Sequence, residues 1–499
     1  MNQSSSRGNS RDTNSNQPNY RRALGHHAGP VQTRGDEDTA ARLSTIMSGD
    51  MDEDSARHHV HGFHSYPARM HPTVAQRSID LLCPPRGIVL DPFCGSGTVL
   101  VESRLAGRRS WGIDLNPLAV LLARVKSRGA TPQELRSLLA TAGEIAQYAE
   151  ARRKEKRGAT MRYSPEDVEL FDPHVLLELD SLQHGLSNKK NKAAGDVPNR
   201  PIVPPGFVFE ALWLVLSSIL VKVSRKPGDS SNTYVPRRLA AGFATRMFER
   251  KAAEFAERVE VFSRRLVRDA PIAKVVECDA RDLDVVRDGS VDLVLSSPPY
   301  AGTYDYVEHH RLRFRWLGMQ SADMQRGEIG ARRHLKHLRY SDAVRQFQDD
   351  LTDVLRVART KLARDGKVAL IIADSVVGIQ PVFAEPLVRA CGEKAGLAWI
   401  ATASQARPHF HRSSQHAFDR HPRCEHLVVM ALSKPVSRQQ PADIDRSADK
   451  AADKAVDKAV DKAVDKAVDK AVDKPIDTPT QTNPTAEHNP QDLCQTATE

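Results

Sequence analysis

The segment DPFCGSGT at residues 91–98 constrains the fold more than any other feature of the chain. It follows a short apolar run, GIVL, that is typical of a strand, and it precedes a helical pattern at residues 99–106. Gly95 and Gly97 let the backbone turn sharply and approach a ligand closely. A strand, a glycine-rich turn and a helix in this order indicate a parallel α/β sheet that binds a nucleotide-like ligand at its strand ends.

Further short β-branched runs, separated by helical patterns, support this prediction. Near-continuous apolar strands with helices between them are typical of a parallel sheet that is covered on both faces. We expect strands at residues 87–91, 111–114, 274–279, 291–296 and 367–374, with 397–402 and 425–432 completing the sheet. Asp91, Asp114, Asp279 and Ser297 fall at or just after strand ends, where the ligand of an open α/β sheet binds.

The spacing around the glycines restricts the kind of ligand. Asp91 can accept a hydrogen bond from an amino group, and Asp114, at the end of the second strand, suits ribose hydroxyls. The glycines match neither G-x-G-x-x-G nor G-x-x-x-x-G-K-[ST], so a pyrophosphate or triphosphate cradle is disfavoured. We expect a side chain at Gly97 to enter the space of the cofactor. The residues predicted to bind the cofactor are Asp91, Phe93, Gly95, Gly97, Thr98, Asp114, Asn116, Asp279 and Ala280.

The segment SPPY at residues 297–300 is the catalytic candidate. Pro298 and Pro299 fix φ and remove two backbone donors, which leaves carbonyl groups unopposed. These carbonyls and the Ser297 hydroxyl can hold the two hydrogens of an exocyclic amine, and Tyr300 can stack on the base that bears it. Methylation at carbon 5 of cytosine needs a thiolate. This segment contains no cysteine, so that chemistry is excluded.

The positive charge favours a polyanionic partner. The net charge is +9, and residues 121–270 hold 26 Lys and Arg against 18 Asp and Glu. The basic loop at residues 226–238, with Arg225 beside it, and a second group formed by Arg311, Arg313 and Arg315 are candidate phosphate contacts. A solvated basic surface without a nucleic-acid partner is the alternative for the loop.

Cysteine and histidine usage indicates neither disulfides nor a metal site. The six cysteines contain no CxxC pair, which fits a reducing cytosol and a cytoplasmic protein. Histidines crowd residues 58–64 and 409–426, but their spacing matches no usual zinc pattern, and we interpret them as polar or basic loops. Residues 207–223 are interrupted by polar side chains, so they predict a buried helix and not a membrane span.

Composition divides the chain into four parts. Residues 1–50 and 436–499 are polar or repetitive, the latter with an AVDK repeat up to Pro475, and we expect both to be disordered. Residues 51–125 and 271–435 carry the strand pattern and both motifs. Residues 126–270 form a mainly helical insertion, which ends in an amphipathic helix over residues 239–266.

The two motifs, together with GIDLNP at residues 112–117, resemble those of S-adenosylmethionine (SAM)-dependent DNA amino-methyltransferases of bacterial type. The resemblance covers roughly residues 58–125 and 271–435. It implies SAM as cofactor, DNA as partner and a Rossmann-like, seven-stranded class I methyltransferase sheet whose last strand is antiparallel. It also implies that HSYPARMHP at residues 64–72 packs over the methionine end of SAM. In that family the target-recognition region usually follows the third strand, whereas the insertion here precedes it.

Four functions remain open from the sequence. SPPY, with Ser in the first position, resembles the cytosine-N4 group more than the adenine-N6 group, and adenine-N6 methylation is the nearest alternative. Methylation of an RNA base and an inactive nucleic-acid-binding module are the others. The target sequence, a partner endonuclease and the oligomeric state do not follow from the residues.

Overall fold

The computed structural model describes residues 28–49, 51, 53–194, 206–229, 231, 233–408 and 412–433. The predictions for the AVDK repeat, for residues 434–499, for residues 1–27 and for His409 and His411 lie outside the described residues. No helix in the described ranges is both long and apolar enough to cross a membrane.

Within the described residues, eight strands form one sheet in the order β1-β9-β10-β6-β5-β2-β3-β4. The five strands from β6 to β4 pair in parallel, whereas β10 runs antiparallel to both β6 and β9. A two-stranded antiparallel hairpin, β7 and β8, lies apart from this sheet. The strands are β1 Ala28–Gly35, β2 Ile88–Asp91, β3 Arg109–Asp114, β4 Lys274–Glu277, β5 Val291–Ser296, β6 Leu362–Ala373, β7 Ser375–Val377, β8 Gln380–Val382, β9 Leu397–Ala406 and β10 Cys424–Leu432.

Helices follow the strands and fill the insertion. They are α1 Glu37–Met47, α2 Glu53–Ala56, α3 Pro72–Leu82, α4 Thr98–Leu105, α5 Pro117–Arg128, α6 Pro132–Lys154, α7 Pro165–Leu170, α8 Pro173–Ala194, α9 Phe207–Val223, α10 Phe243–Arg265, α11 Tyr306–Leu317, α12 Ala322–Gly327, α13 Arg332–Leu335, α14 Tyr340–Lys361, α15 Ala384–Lys394 and α16 Arg412–Ala417. A 3₁₀ turn spans His59–Gly62.

The seven predicted strands all form, and the sheet has the expected antiparallel last strand β10. The fold is a Rossmann-like α/β sheet with one strand more than expected. The apolar strand residues provide the core: Leu90 and Val294, for example, are fully or almost fully buried. Removing such side chains from water is the main favourable term in folding.

The insertion is helical, as its periodicity predicts. The helix expected at residues 207–223 is α9, and the amphipathic helix expected at residues 239–266 is α10. Trp213 on α9 and Phe255 on α10 are fully buried in one apolar cluster with Phe314 of α11. The insertion is therefore packed, through α11, onto the segment that follows SPPY.

The prediction that residues 1–50 are disordered is wrong for residues 28–49. Strand β1 pairs antiparallel with β9, and Asp36 caps helix α1 by accepting a hydrogen bond from the backbone N–H of Thr39 at 2.9 Å. Leu43 and Ile46 are fully buried against the sheet. The polar sequence of β1 does not predict a strand. The strand forms because the edge of the sheet at β9 provides hydrogen-bond partners.

Replacing Leu43 with Ala tests whether this segment belongs to the core. We expect the free energy of unfolding to fall by about 2–5 kcal/mol, because a buried side chain is lost and leaves a cavity. Chemical denaturation followed by circular dichroism measures the change. The control is Ala41→Ser on the exposed face of the same helix, for which we expect a change of about 0.5 kcal/mol or less. Equal stabilities of Leu43→Ala and the control would contradict the packing of α1.

Candidate functional site

A buried hydrogen bond joins the ends of β2 and β5, the two strands at which the strand order reverses. Ser296 Oγ, at the end of β5, donates to Asp91 Oδ1, at the end of β2, across 2.6 Å. The backbone N–H of Phe93 donates to the same oxygen at 3.1 Å. Within the described part of the chain no hydrogen bond ends on Oδ2. Burial raises the pKa of Asp91 to about 7. The reversal point of an open α/β sheet is where such folds bind ligands.

A second carboxylate, Asp114, holds the glycine turn in place. Its Oδ2 accepts the N–H of Gly95 at 2.8 Å, and its Oδ1 accepts the N–H of Asn116 at 2.9 Å. Burial raises the pKa of Asp114 to about 6. Asn116 in turn caps α5 through Leu118 N–H and donates from Nδ2 to Tyr66 Oη at 3.3 Å. The two motif strands and helix α5 are thus connected through side chains of the site.

A cleft of about 850 Å³ opens at these strand ends. Eight of the nine residues predicted to bind the cofactor line it, together with two of the SPPY residues. The lining includes Asp91, Phe93, Gly95, Thr98, Asp114, Asn116, Asp279, Ala280, Ser297 and Pro299. The sequence prediction missed others, among them Arg69, Met70, Leu115, Tyr306, Met324 and Glu328. Leu115 directly follows β3, and Arg69 and Met70 belong to HSYPARMHP, whereas the fold alone brings Tyr306, Met324 and Glu328 to the strand ends.

Gly97 is the one predicted cofactor residue that does not line the cleft. The expectation that a side chain at this position would enter the space of the cofactor is wrong. A Cβ at Gly97 would lie 2.7 Å from the Cα of Ala123 on α5, and its φ is +83°. The glycine therefore permits α4 and α5 to pack closely, and a side chain would push on α5 and not on the cofactor. At Gly95, in contrast, a Cβ would lie 3.1 Å from the ring of Tyr66.

The segment HSYPARMHP covers one side of the cleft through Tyr66, Ala68, Arg69 and Met70. The ring of Tyr66 stacks on His310, with 5.1 Å between ring centroids, and burial raises the pKa of its hydroxyl. The sequence resemblance predicted that this segment covers the cofactor site. Tyr66 is the aromatic residue of the segment, and an aromatic side chain at that place was the sequence feature that could have identified it.

Asp279 reaches the cleft already paired with a cation. Arg281 donates from Nη2 to Asp279 Oδ2 at 2.7 Å and from Nε to Oδ1 at 3.0 Å. The same guanidinium donates to Asp350 of α14 at 2.5 Å. The carboxylate is held in one orientation, and Oδ2 retains acceptor capacity for an amino group.

A second cavity adjoins the cleft at Ser297. Ala68, Arg69, Met70 and Ser297 line both spaces, whereas Tyr300 lines only the second. Ser297 Oγ and Tyr300 Oη lie 3.3 Å apart. Pro299 lines the cleft, and Pro298 is buried and lines neither space. The SPPY turn therefore stands at the boundary between two cavities.

The group Arg311, Arg313 and Arg315 does not form the free basic surface that the sequence suggests. Arg313 is 1% exposed and pairs with Asp229, so the prediction that it contacts phosphate is wrong. Arg315 pairs with Asp167 at 2.7 Å, and Arg311 is matched by carboxylates as well. Alternating residues on a helix point to different sides, which places Arg313 in the core.

The basic loop of the insertion is partly engaged within the protein. Arg225 pairs with Asp172 at 2.6 Å, and Arg237 donates to the carbonyl of Lys222 at 2.7 Å. Arg238 is exposed, and Lys226 is partly exposed. Contact of this loop with DNA stays a prediction.

One histidine group in the described ranges has donor atoms close enough to suggest a metal, namely His59, His61 and Glu102, whose ligand atoms lie within 4.8 Å of one another. His61 Nε2 and Glu102 Oε1 are 2.6 Å apart. Burial and the nearby cations Lys126 and Arg69 hold the pKa of His61 well below its usual range. The sequence interpretation of this stretch as a polar or basic loop is wrong for His59, His61 and His64, because all three side chains are buried.

Comparisons with known proteins agree with the motifs. The family model N6_N4_Mtase, described as DNA methylase, matches residues 11–124. Type II methyltransferase M.MjaII of Methanocaldococcus jannaschii is 21% identical over 449 residues, covering 75% of this chain and 81% of that protein. Type II methyltransferase M.MvaI of Kocuria varians is 38% identical over 79 residues, which are 15% of this chain and 17% of that protein.

Residues 11–124 are thus similar to a family of DNA methylases, and the chain is similar to two Type II methyltransferases. SAM is the cofactor that the motifs imply. Among solved structures, a TehB-like SAM-dependent methyltransferase of Corynebacterium glutamicum is 11% identical, with a TM-score of 0.26 and coverage of 72% of this chain and 87% of that chain. TrmN of Thermus thermophilus is 13% identical, with a TM-score of 0.27 and coverage of 73% and 49%. The fold itself rests on the strand order of the sheet.

The cleft fits SAM in its chemistry. Asp91 Oδ2 offers a carboxylate oxygen of a buried residue for an ammonium group, and Asp114 offers acceptors for hydroxyl groups. Ser96 Oγ, which belongs to a lining residue, is buried without a hydrogen-bond partner among the described residues. Buried polar atoms of this kind are usually satisfied by a ligand or water.

The raised pKa of Asp91 predicts that SAM binding depends on pH. The neutral carboxyl is favoured in the empty site, whereas a bound ammonium favours the carboxylate, so binding releases a proton below pH 7. We expect affinity for SAM to rise about tenfold from pH 6 to pH 8, as the ionised fraction rises. Calorimetric titration in two buffers of different ionisation enthalpy measures both the affinity and the proton release.

Asp91→Asn should bind SAM more weakly and with a flatter pH profile. The matched control is Asp284→Asn, which changes an exposed carboxylate away from the cleft. A wild-type profile that is flat from pH 6 to pH 8, or one that is unchanged in Asp91→Asn, would contradict the pairing of Asp91 with the ammonium group.

Proposed function

We propose that this protein is an amino-methyltransferase that transfers a methyl group from SAM to the N4 nitrogen of cytosine in DNA. The observation that carries the proposal is the meeting of two cavities at Ser297, one with the chemistry of a cofactor site and one bounded by Tyr300. A base held in the second cavity would present its exocyclic amine at the boundary between them. A duplex must release the base from its stack for this to happen.

The residues of SPPY would position the amine rather than activate it. SAM, when bound, would supply the methyl group and would leave as the neutral thioether, while the methylated nitrogen would lose one proton to solvent. Backbone carbonyls of the SPPY turn and Ser297 Oγ would accept the two amine hydrogens, which directs the nitrogen lone pair toward the cleft. Tyr300 would stack on the ring. Its hydroxyl lies 3.3 Å from Ser297 Oγ, and burial raises its pKa, so it stays protonated and can serve as a donor.

The choice of cytosine rests on Ser297 in the first position of the motif, which resembles the cytosine-N4 group. Both curated relatives are Type II methyltransferases by name. This supports DNA as the substrate and a place in restriction and modification, with a companion endonuclease as the partner activity. The exposed Arg238 and the partly exposed Lys226 are the candidate phosphate contacts that the structure leaves on the insertion.

Mass spectrometry of nucleosides tests this proposal most directly. DNA from a host that expresses the protein should contain N4-methylcytosine, and DNA from a host that expresses Asp91→Asn should contain much less. Sequencing that detects modified bases then maps the target site. N6-methyladenine in place of N4-methylcytosine would overturn the choice of base, and the absence of both would overturn the proposed function.

Substitutions in SPPY test the positioning role. We expect Tyr300→Ala to lose stacking worth about 1–3 kcal/mol, which lowers kcat/KM about 5- to 150-fold. Tyr300→Phe, which keeps the ring, should retain most activity. Ser297→Ala should lower kcat by about tenfold, because one hydrogen bond to the amine is lost. Affinity for SAM, measured by calorimetry, should change little in all three variants.

The control for Ser297→Ala is Ser290→Ala. Ser290 precedes the other end of β5 and donates only to the carbonyl of Arg287. Methylation of the mapped duplex at the wild-type rate by both Tyr300→Ala and Ser297→Ala would show that SPPY is only a structural turn.

A further inference from the structure

The second cavity contains a buried cation whose donors are not all used. Arg407 directly follows the last residue of β9. Its side chain is 10% exposed, and it lines this cavity but not the cleft. Its Nη1 donates to Glu425 Oε1 at 2.7 Å. Its Nε is buried and has no hydrogen-bond partner among the described residues. An unused buried donor costs free energy unless a ligand satisfies it.

An ion pair and a backbone hydrogen bond hold Arg407 in position. Glu425, on β10, is 13% exposed at its side chain and holds Arg407 in an ion pair. The backbone N–H of Arg407 donates to the carbonyl of Arg423 at 2.7 Å, which ties β9 to the start of β10. Tyr300, Arg407 and Glu425 line the same cavity.

Because Arg407 lies in the second cavity alone, it faces the part of a base that is remote from the cofactor. A base whose amine lies at Ser297 turns its neighbouring ring atoms toward the residues that line only this cavity, including Tyr300, Tyr304, Arg407 and Glu425. The atoms next to the amine are those of the Watson–Crick edge. Arg407 is therefore placed to donate to that edge.

Resting on the proposed transfer to a base amine, we propose that Arg407, held by Glu425, selects cytosine by donating hydrogen bonds to its N3 and O2 atoms. Cytosine carries these two acceptors side by side next to its amine. Adenine carries one acceptor, N1, followed by a carbon that bears hydrogen. A planar guanidinium presents paired donors in a fixed geometry, which matches two adjacent acceptors and leaves one donor unsatisfied against adenine. Sites that hydrogen-bond a substrate reject analogues that lack the partner group.

The test is a double-mutant cycle between the protein and the base. The substrates are two synthetic duplexes that contain the target site mapped in the host DNA, one with cytosine and one with 2-thiocytosine at the methylated position. Sulfur is a weaker acceptor than oxygen, so the wild-type kcat/KM should fall by about tenfold or more with the thio base. Arg407→Met keeps the length of the side chain and removes its donors. Its kcat/KM on cytosine should already be reduced, by up to about tenfold, and replacing cytosine with the thio base should change that value by less than twofold.

Further variants separate recognition from folding. Arg407→Lys, which restores a cation, should recover part of the activity on cytosine, and affinity for SAM should match the wild type in both variants. The control is Arg356→Met, which removes an exposed arginine that pairs with Asp353 on α14. It should show the full wild-type penalty for the thio base.

The outcomes distinguish this inference from the proposed function. An equal penalty for 2-thiocytosine in wild type and Arg407→Met would overturn the role of Arg407 while cytosine-N4 methylation stands. A wild-type protein that methylates adenine would overturn cytosine selection and leave amino-methylation intact. A wild-type protein that forms neither product would overturn the proposed function itself.

Discussion

The hydrogen bond between Ser296 and Asp91 is the interaction on which the site depends. It joins the two central strands, β2 and β5, at the point where the strand order of the sheet reverses. It also keeps a buried carboxylate at the floor of the cleft. Burial raises the pKa of Asp91 to about 7, so the folded protein favours the neutral carboxyl, and stability falls as pH rises from about 4 to 7. A ligand ammonium group offsets this cost by stabilising the charged form.

The two halves of the sheet contribute residues to different cavities. The parallel half presents Asp91, Asp114 and the glycine turn, and its helices α4 and α5 approach closely only because residue 97 is glycine. The antiparallel half, with β9 and β10, brings Arg407 and Glu425 to the second cavity. The SPPY turn at the end of β5 stands between the two. In the proposed mechanism, cofactor binding and base recognition depend on different strands, and the two cavities meet at Ser297.

Hydrophobic and electrostatic patterns explain why some sequence predictions about charge are wrong. The arginines after SPPY suggest a basic surface when counted along the chain, but α11 turns Arg313 inward, where Asp229 neutralises it. Burial of an arginine is tolerable only with such a partner. Conversely, Arg407 shows nothing unusual in the sequence, and only its burial, its ion pair and its unused Nε mark it as a residue of interest.

Local sequence patterns predict the strands of the sheet and the residues at their ends that line the cleft. Strand periodicity, the glycine turn and the positions of Asp91 and Asp114 are local properties, and a parallel sheet must bring strand ends to one edge. Tertiary structure alone decided the rest. The strand at Ala28–Gly35 forms because β9 offers it an open edge, and Tyr306 and Arg407 reach the two cavities from distant segments. No local pattern encodes these approaches, because they result from how elements far apart in the chain pack against one core.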